Sequence, residues 1–558
     1  MWFERHVSLG GKPYTLDLDQ ARAVLDSHKN TLVTARAGSG KTRVIVAKVA
    51  YLVASGQAYL SEIAAFMFNR TAAAEVNERI GMVEIDGVPL KNWGGKEREI
   101  RIASTFHKFA LDLVKATGDR PEIISELEHD SIIRRALAKV LTEQKRRLSR
   151  DKQEETLRLA SSFIARAGQQ YSGKHGLSEL CQAVQEYCTE HSGDPDYAEK
   201  ILIHETSLAV YQEYLLALNY PKIDFNLLMS RAARLFRDGT NTSCLSTTRF
   251  RRKMQQISCY KYLLVDEYQD FSYLFFDLIR SIRQNCPAAH LFAVGDDWQA
   301  INRFAGSDVD YFLNFAEYFP EDVVDIPLMT NYRSDYRIVE NANRYMLKNY
   351  NPNADKAVPF SCKRGKIKRQ NPAKTKFDSQ DLLEDGLGDG RYQNILADVA
   401  RSVVKDSINA RGLKPKDFQE AARLLKTTYK IVKKHHKEQI LLLHRHNFTS
   451  FANVSLENLY LALRRIMVEE GVMSEMDFDS RVRCMTMHKS KGLESDVVIL
   501  LEMDRSQVRA EHPHATIFEI FGDTRAAETA DQHRLLYVAL TRAKHKLYIL
   551  SSDKKPVA

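Results

Sequence analysis

Short runs of apolar and β-branched residues recur along the chain. Between them lie longer segments in which apolar positions return every three or four residues. The runs at 31–34, 63–68, 262–265, 290–294, 439–444, 482–485, 497–501 and 547–551 predict strands. Several are almost continuously apolar, as strands covered on both faces are. Strands alternating with helical segments predict an α/β fold with parallel sheets. Two stretches break the alternation. Residues 111–221 are rich in charged helix formers with no convincing strand, which predicts an α-helical insertion. Residues 352–395 are rich in Lys, Asp, Gly and Asn, with Gly386, Gly388 and Gly390 close together, and predict a loop-rich connection. No internal repeat is visible.

Composition narrows the class. The chain has 558 residues, 44% hydrophobic and 27% charged, as a soluble globular protein of three or four domains would have. No apolar run approaches the roughly 18 residues of a membrane span, so no membrane association is expected. The N-terminus lacks a cleavable apolar segment, so secretion is not expected. Seven scattered cysteines include no C-x-x-C pair, which argues against a disulfide framework or a zinc site and favours a reducing cytoplasm. Lys and Arg number 81 against 72 Asp and Glu, a net charge of +9 that permits a nucleic-acid partner.

The strongest chemical signal is the run Ala35, Arg36, Ala37, Gly38, Ser39, Gly40, Lys41, Thr42, between a predicted strand and a predicted helix. Glycines allow the backbone to wrap a phosphate closely, and the amides there donate to its oxygens. Lys41 would reach the β and γ phosphates, and the Thr42 hydroxyl would ligate Mg²⁺. The usual pattern begins with Gly, where this chain has Ala35. A second apolar run ends in Asp266 and Glu267. Asp266 would hold Mg²⁺, directly or through water, and Glu267 would orient and deprotonate an attacking water. The two halves together predict a P-loop nucleotide hydrolase using ATP and Mg²⁺.

A longer series of motifs follows the same order as in a known family. The run 18–24 precedes the phosphate loop; 68–75 and Ser104-Thr105-Phe106-His107 follow it; Ile223-Asp224-Phe225 comes next. Then come Asp266 through Asp270, 294–301, Asn331-Tyr332-Arg333-Ser334, 486–494 and 537–543. In this series the chain resembles the superfamily 1A DNA helicases of the UvrD/Rep family, with wording nearest to the helicase IV branch. The resemblance implies two RecA-like P-loop lobes with parallel sheets. The first lobe (1A) would span 1–110 and 222–320, interrupted by the helical insertion 111–221 (1B), and the second lobe (2A) would span 321–558.

The resemblance also implies roles. Gln20 would read adenine, Tyr332 would stack on it, and Glu494 would touch the nucleotide sugar. Gln299 would sense the γ-phosphate, with Arg333 and Arg542 stabilising charge on it. DNA contacts would come from Phe68, Asn69, Phe106, His107, Arg303, Phe304, Thr486 and His488. Single strands are held by phosphate contacts and aromatic platforms, which these residue types can supply. The family often has Tyr and Trp-Arg in its coupling motif, where this chain has Asn302 and Phe304-Ala305, so one stacking ring is missing. Basic clusters at Lys145, Arg146, Arg147 and Arg150, and at Lys363, Arg364, Lys366, Lys368 and Arg369, are further candidates for phosphate contacts.

The family's large 2B insertion belongs between the run 440–445 and the motif beginning at Thr486. Only 451–480 are available here, enough for one helix and a turn, so 2B is expected to be minimal or absent. The leading expectation is an ATP-dependent single-stranded-DNA translocase and helicase, 3′-to-5′ by resemblance, acting on single strands and on tailed or forked duplexes. It would serve DNA repair, recombination or defence, alone or with a loading factor. The alternatives are a DNA-sensing ATPase and a helicase subunit of an anti-phage complex with a separate nuclease.

Overall fold

The structure is a computed structural model that describes residues 2–92, 102–171, 173–239, 252–253, 257, 259–372, 395, 415–447, 454–504 and 515–552. Gly386, Gly388 and Gly390, and with them most of the predicted loop after 372, lie outside the described residues. Among the described residues no helix is long and apolar enough to cross a membrane.

The chain divides into two compact units, the first comprising 1–35, 40–328 and 512–528, the second 36–39, 329–511 and 529–558. The first is built on a six-stranded sheet in the order Val323–Leu328, Asn30–Ala35, His290–Gly295, Tyr262–Val265, Ile63–Met67, Ala103–Thr105. Every neighbouring pair in it is parallel. Strand alternation sorts its side chains onto two faces. Leu32, Phe66, Leu263, Val265, Leu291 and Ala293 enter one core; Val33, Ala65, Met67, Leu264, Phe292 and Val294 enter the other. Both faces are covered by helices, which explains the nearly continuous apolar runs.

The second unit carries a five-stranded parallel sheet in the order Lys366–Gln370, Ala543–Leu550, Ser495–Leu500, Ile440–His444, Val482–Thr486. Its first strand falls inside the stretch expected to be loop. Lys366–Gln370 has one apolar residue in five and sits at the sheet edge. An edge strand of this kind carries almost no hydrophobic signature, and its lysines discourage pairing with another chain. Val358–Ser361 is a second strand in that stretch, parallel to Thr330–Asp335. In the place of the expected single helix and turn, two helices occur, Leu456–Glu469 and Glu475–Arg481.

The insertion contains helices Glu126–Glu143, Arg150–Gln170, Gly173–Glu190 and Ala198–Ala217. Ser125 and Glu128 form a capping box at the start of the first. A two-residue strand Glu122–Ile123 pairs with Lys222–Ile223 and closes the insertion at its base. Three residues from far along the chain complete its core: Ile517, Phe518 and Phe521 pack with Ile133, Phe163, Tyr211 and Tyr214. Each such burial contributes about 1.5–3 kcal/mol. The expectation that everything after 320 belongs to the second lobe therefore does not hold: 512–528 groups with the first unit, and Val323–Leu328 extends the first sheet. A single short apolar cluster does not announce in sequence which core it will join.

Tyr214, on the last insertion helix, donates its hydroxyl to Asp224 Oδ2 at 2.9 Å, while Asp224 Oδ1 accepts the Leu227 amide at 2.8 Å. Burial raises the Asp224 carboxyl above its usual range, opposed by these two donors. Tyr214→Phe removes one donor and leaves the carboxylate buried. We expect a loss of about 1–3 kcal/mol, read as a lower first calorimetric transition; an unshifted transition would mean that solvent already satisfies Asp224.

Candidate functional site

In the first unit the strand Asn30–Ala35 runs into the glycine loop, and helix Lys41–Ala54 starts directly after Gly40. The helix start leaves unpaired amides and a partial positive charge, the usual setting for phosphate. Gln20 is buried at the start of helix Leu18–Leu25, where its Oε1 accepts the Asp17 amide at 3.3 Å in a capping box. Its amide nitrogen lies against Gly40, 3.0 Å from where a Cβ would stand.

Lys41 Nζ lies 3.1 Å from Glu267 Oε2. Burial works against the Lys41 charge, but Glu267, Asp296 and Asp266 outweigh it and push the amine's pKa upward. Asp266 is buried and its Oδ1 accepts the Glu267 amide at 2.9 Å. Glu267 itself adopts φ 51°, a left-handed conformation that is unusual for a non-glycine residue. Such strain costs about 1–3 kcal/mol and gathers at functional sites. Gln269 donates to the same Glu267 oxygen and accepts the Asp296 amide through Oε1 at 2.9 Å. Asp296 Oδ2 then accepts from Gln299 Nε2 at 2.6 Å. A hydrogen-bonded chain thus runs from Lys41 through Glu267, Gln269 and Asp296 to Gln299. Gln269 and Asp296 lay within the quoted motifs, but sequence assigned them no role. Their linkage depends on two strands being neighbours, which spacing along the chain does not reveal.

The donor set suits Mg²⁺. A threonine hydroxyl and one or two carboxylates are hard oxygen ligands, and Mg²⁺ ordinarily completes its shell with phosphate and water. Among the described residues no group of three or more His, Cys, Asp or Glu could hold a metal ion. Thr42 and Asp266 could supply two of its oxygens, with a nucleotide supplying others.

In the second unit, Asn331 Nδ2 donates to the Ala37 carbonyl at 2.6 Å and the Tyr332 amide to the Gly38 carbonyl at 2.9 Å. Gly38 has φ 75°, and a Cβ there would lie 2.8 Å from Arg333 Cβ. Arg36 Nε donates to the Asp355 carbonyl at 2.9 Å, and the Ser39 amide to the Arg36 carbonyl at 3.1 Å. Arg333 Nε pairs with Glu494 at 2.7 Å, and Lys544 holds the other Glu494 oxygen at 2.8 Å. Burial raises the Glu494 carboxyl, but Lys544 and Arg333 outweigh it and lower it below the usual range. Arg542 is 1% exposed and donates to the Val538 carbonyl at 2.8 Å and the Leu493 carbonyl at 3.1 Å. Tyr332 is exposed, with the Phe360 ring 4.9 Å away.

The expected DNA contacts separate into two groups. Phe68 and Phe304 are each 42% exposed, and Asn69 caps the helix Arg70–Gly81. Thr486 ends the strand Val482–Thr486, and His488 follows in a short turn. Phe106, in contrast, is 3% exposed and lies between Phe66 and Phe275 at 4.7 and 4.2 Å. It cannot serve as a base platform. Thr105 caps the helix beginning at Phe106, and the ring turns back into the core at that junction. His107 meets Phe225 and Phe275 edge-on, and burial lowers its pKa to about 4, so at neutral pH it carries no charge for a phosphate. Arg303, also expected among these contacts, is half-buried and pairs with the Asp523 carboxylate at 3.2 Å. Of the insertion's basic cluster, Lys145, Arg147 and Arg150 are exposed, while Arg146 donates to Thr206 at 3.0 Å.

Residues 16–320 match the profile of the UvrD/REP helicase N-terminal domain, and 390–554 that of the UvrD-like helicase C-terminal domain. The chain belongs to the UvrD/REP helicase family. It is 27% identical to DNA helicase IV of Escherichia coli, over 96% of this chain and 68% of that protein. It is 30% identical to the ATP-dependent DNA helicase Rep of Salmonella typhimurium, over 56% of this chain and 40% of that protein. It is 28% identical to the ATP-dependent DNA helicase PcrA of Leuconostoc citreum, over 58% of this chain and 38% of that protein. The chain thus spans about two thirds of the first and about two fifths of the others. The UvrD/REP family is one of ATP-dependent DNA helicases working with ATP and Mg²⁺, and the chain takes its place in that enzyme class.

Two substitutions test the residues expected to handle the nucleotide. Glu267→Gln keeps the shape of the side chain but not the base, so ATP binding should persist while turnover falls at least about a hundredfold; equal loss of both would deny Glu267 its role. Gly38→Ala forces a Cβ against Arg333 in an unfavourable conformation. It should raise the KM for ATP several-fold, and a parent-like KM would show that the loop relaxes freely.

Proposed function

We propose that the chain is an ATP-dependent single-stranded-DNA translocase that unwinds tailed or forked duplexes in the 3′-to-5′ direction. The observation that carries this reading is the hydrogen-bonded chain from Lys41 to Gln299, which ends four residues before Arg303 in the turn bearing exposed Phe304. Events at the γ-phosphate and events at a base platform would then share one rigid connection. Lys41 and the loop amides bind the phosphates, Thr42 and Asp266 hold Mg²⁺, and Glu267 takes the proton of the attacking water. Gln299 follows the γ-phosphate, while Arg333 and Arg542 balance its charge once freed from their present carboxylate and carbonyl partners. Gln20 and Tyr332 hold the adenine, and Glu494 the sugar. Bound Mg²⁺ supplies Lewis-acid neutralisation of the phosphate charge.

Phe68, Asn69 and Phe304 of the first unit, and Thr486 and His488 of the second, contact the single strand, with Phe106 and Arg303 supporting the first unit's residues from within. Lobe 1A, insertion 1B and lobe 2A divide the work, and the two short helices after 455 stand where other family members carry a large insertion. Polarity follows the family resemblance. The setting we favour is cytoplasmic DNA repair or recombination. Phage defence beside a separate nuclease, and DNA sensing without unwinding, are the competing roles.

ATPase and strand displacement on 3′-tailed, 5′-tailed and blunt duplexes decide among these. We expect displacement with a 3′ tail alone. DNA-stimulated ATPase with no displacement on any substrate would favour the sensing role, and displacement from a 5′ tail would reverse the polarity.

The exposed cations of the insertion should grip the duplex. Reversing Lys145, Arg147 and Arg150 to Glu should depress unwinding far more than ATPase on saturating single strands. Unwinding should also fall with salt, at a log–log slope of about −0.9 for each phosphate that these cations neutralise. Parent-like unwinding by the triple variant would move the duplex grip to Lys363, Arg364, Lys366, Lys368 and Arg369.

A further inference from the structure

The segment 515–523 is joined to the insertion by both apolar and polar contacts. Ile517, Phe518 and Phe521 enter the insertion core, and the Phe521 ring meets Phe163 edge-on at 5.4 Å. Glu519 accepts from the Tyr187 hydroxyl at 2.6 Å and from Lys200 at 2.8 Å. Two residues beyond Phe521 comes Asp523. One of its oxygens, Oδ1, accepts from Arg166 at 3.0 Å and from Arg303 at 3.2 Å. The Arg166 and Asp523 side chains are only 2% and 5% exposed.

Arg303 is therefore held twice. Its guanidinium pairs with Asp523, and its carbonyl accepts from Arg166. The next residue is Phe304, whose ring is exposed. The turn is also fixed from its far side. Gly306 has φ 96°, and a Cβ there would lie 2.3 Å from the Gln169 side chain, so helix Arg150–Gln170 packs directly on this backbone. Gln169 is held in turn by Asn226 at 2.8 Å. An aromatic platform with an exposed face and an immobilised base is preorganised for stacking. A platform on a free turn would have to be ordered by the strand at a cost in affinity.

We propose that Asp523 is a positioning residue for the single-strand surface, holding the turn 303–305 through Arg303 and Arg166 so that Phe304 is presented in one orientation. This rests on the reading of Phe304 as a base platform. A carboxylate is needed because two guanidinium groups converge on one point. Without its charge they repel each other in a poorly solvated site, where an unbalanced charge is costly. The Arg303 turn then loses its side-chain anchor, while the chain from Lys41 to Gln299 keeps all its own bonds.

The test is a double-mutant cycle on the full chain. Affinity for a fluorescent oligo-dT is read by anisotropy, with DNA-free ATPase and thermal unfolding measured in parallel. Phe304→Ala should weaken binding about fivefold or more, the low end of one base–aromatic stack. Asp523→Asn should weaken it comparably with DNA-free ATPase unchanged. The double variant should bind no worse than Phe304→Ala, because Asp523 acts only through that ring. A structural defect would instead multiply with Phe304→Ala and lower the DNA-free rate, and that result overturns the proposal. So does parent-like binding by Asp523→Asn when Phe304→Ala is weak. Parent-like binding by Phe304→Ala removes the platform itself, and the proposal falls with it. If Asp523→Asn does not fold, Arg166→Lys keeps a positive charge beside Asp523 but loses the guanidinium fork that also holds the Arg303 carbonyl, and the same outcomes apply.

Discussion

A parallel strand delivers the residue that follows it to one edge of its sheet, and this constraint places nearly every residue of chemical interest here. In the first unit the proposed nucleotide residues follow inner strands: Gly40 to Thr42 shortly after Ala35, Asp266 and Glu267 after Val265, Asp296 after Gly295. The strand candidates follow the next two strands in the sheet, of which only the second lies at its edge: Phe68 after Met67, and Phe106 and His107 after Thr105. Ligand sites in open α/β sheets lie at the carboxyl ends of strands for this reason. The residues proposed for phosphate chemistry and for DNA contact thereby share one edge of the sheet, separated by strand order.

The second sheet arranges the same tasks differently. Glu494 and Arg542 immediately precede the adjacent strands Ser495–Leu500 and Ala543–Leu550, and the Ser495 amide donates to the Arg542 carbonyl at 3.0 Å. They stand at the amino edge. Thr486 and His488 stand at the carboxyl edge. The proposed nucleotide and DNA residues of this unit are therefore separated by the length of its strands. A change at one edge reaches the other only by moving the sheet as a body, because close-packed cores transmit displacement with little internal yielding. In the first unit, by contrast, Gln269 links two neighbouring strand ends through side-chain hydrogen bonds.

Much of this was legible in the residues. Buried parallel strands read as apolar runs, and the glycine loop and the Asp266-Glu267 pair read as phosphate chemistry without any structure. What sequence could not supply were facts of neighbourhood. The Lys366–Gln370 strand is polar because it lies at an edge. Phe106 looks like a platform in a motif, yet a strand-to-helix junction turns its ring inward. The engagement of Arg303 depends on a carboxylate 220 residues away. In each case the deciding partner is distant along the chain, and local pattern carries no record of it.

The buried charges show why that distant partner matters. A salt bridge out of water is weak evidence for stability, since desolvation offsets the Coulomb gain; its better-attested use is to specify one arrangement among several. Ile517, Phe518 and Phe521 already supply apolar burial for the docking of 515–521. Apolar contacts alone tolerate small slides and rotations. Adding one carboxylate oxygen between two guanidinium groups selects a single register, because only there are all three charges satisfied. The apolar residues thus provide the adhesion and Asp523 the alignment. An aligned turn is what a stacking surface needs if each step of the motor is to meet the next base in the same way.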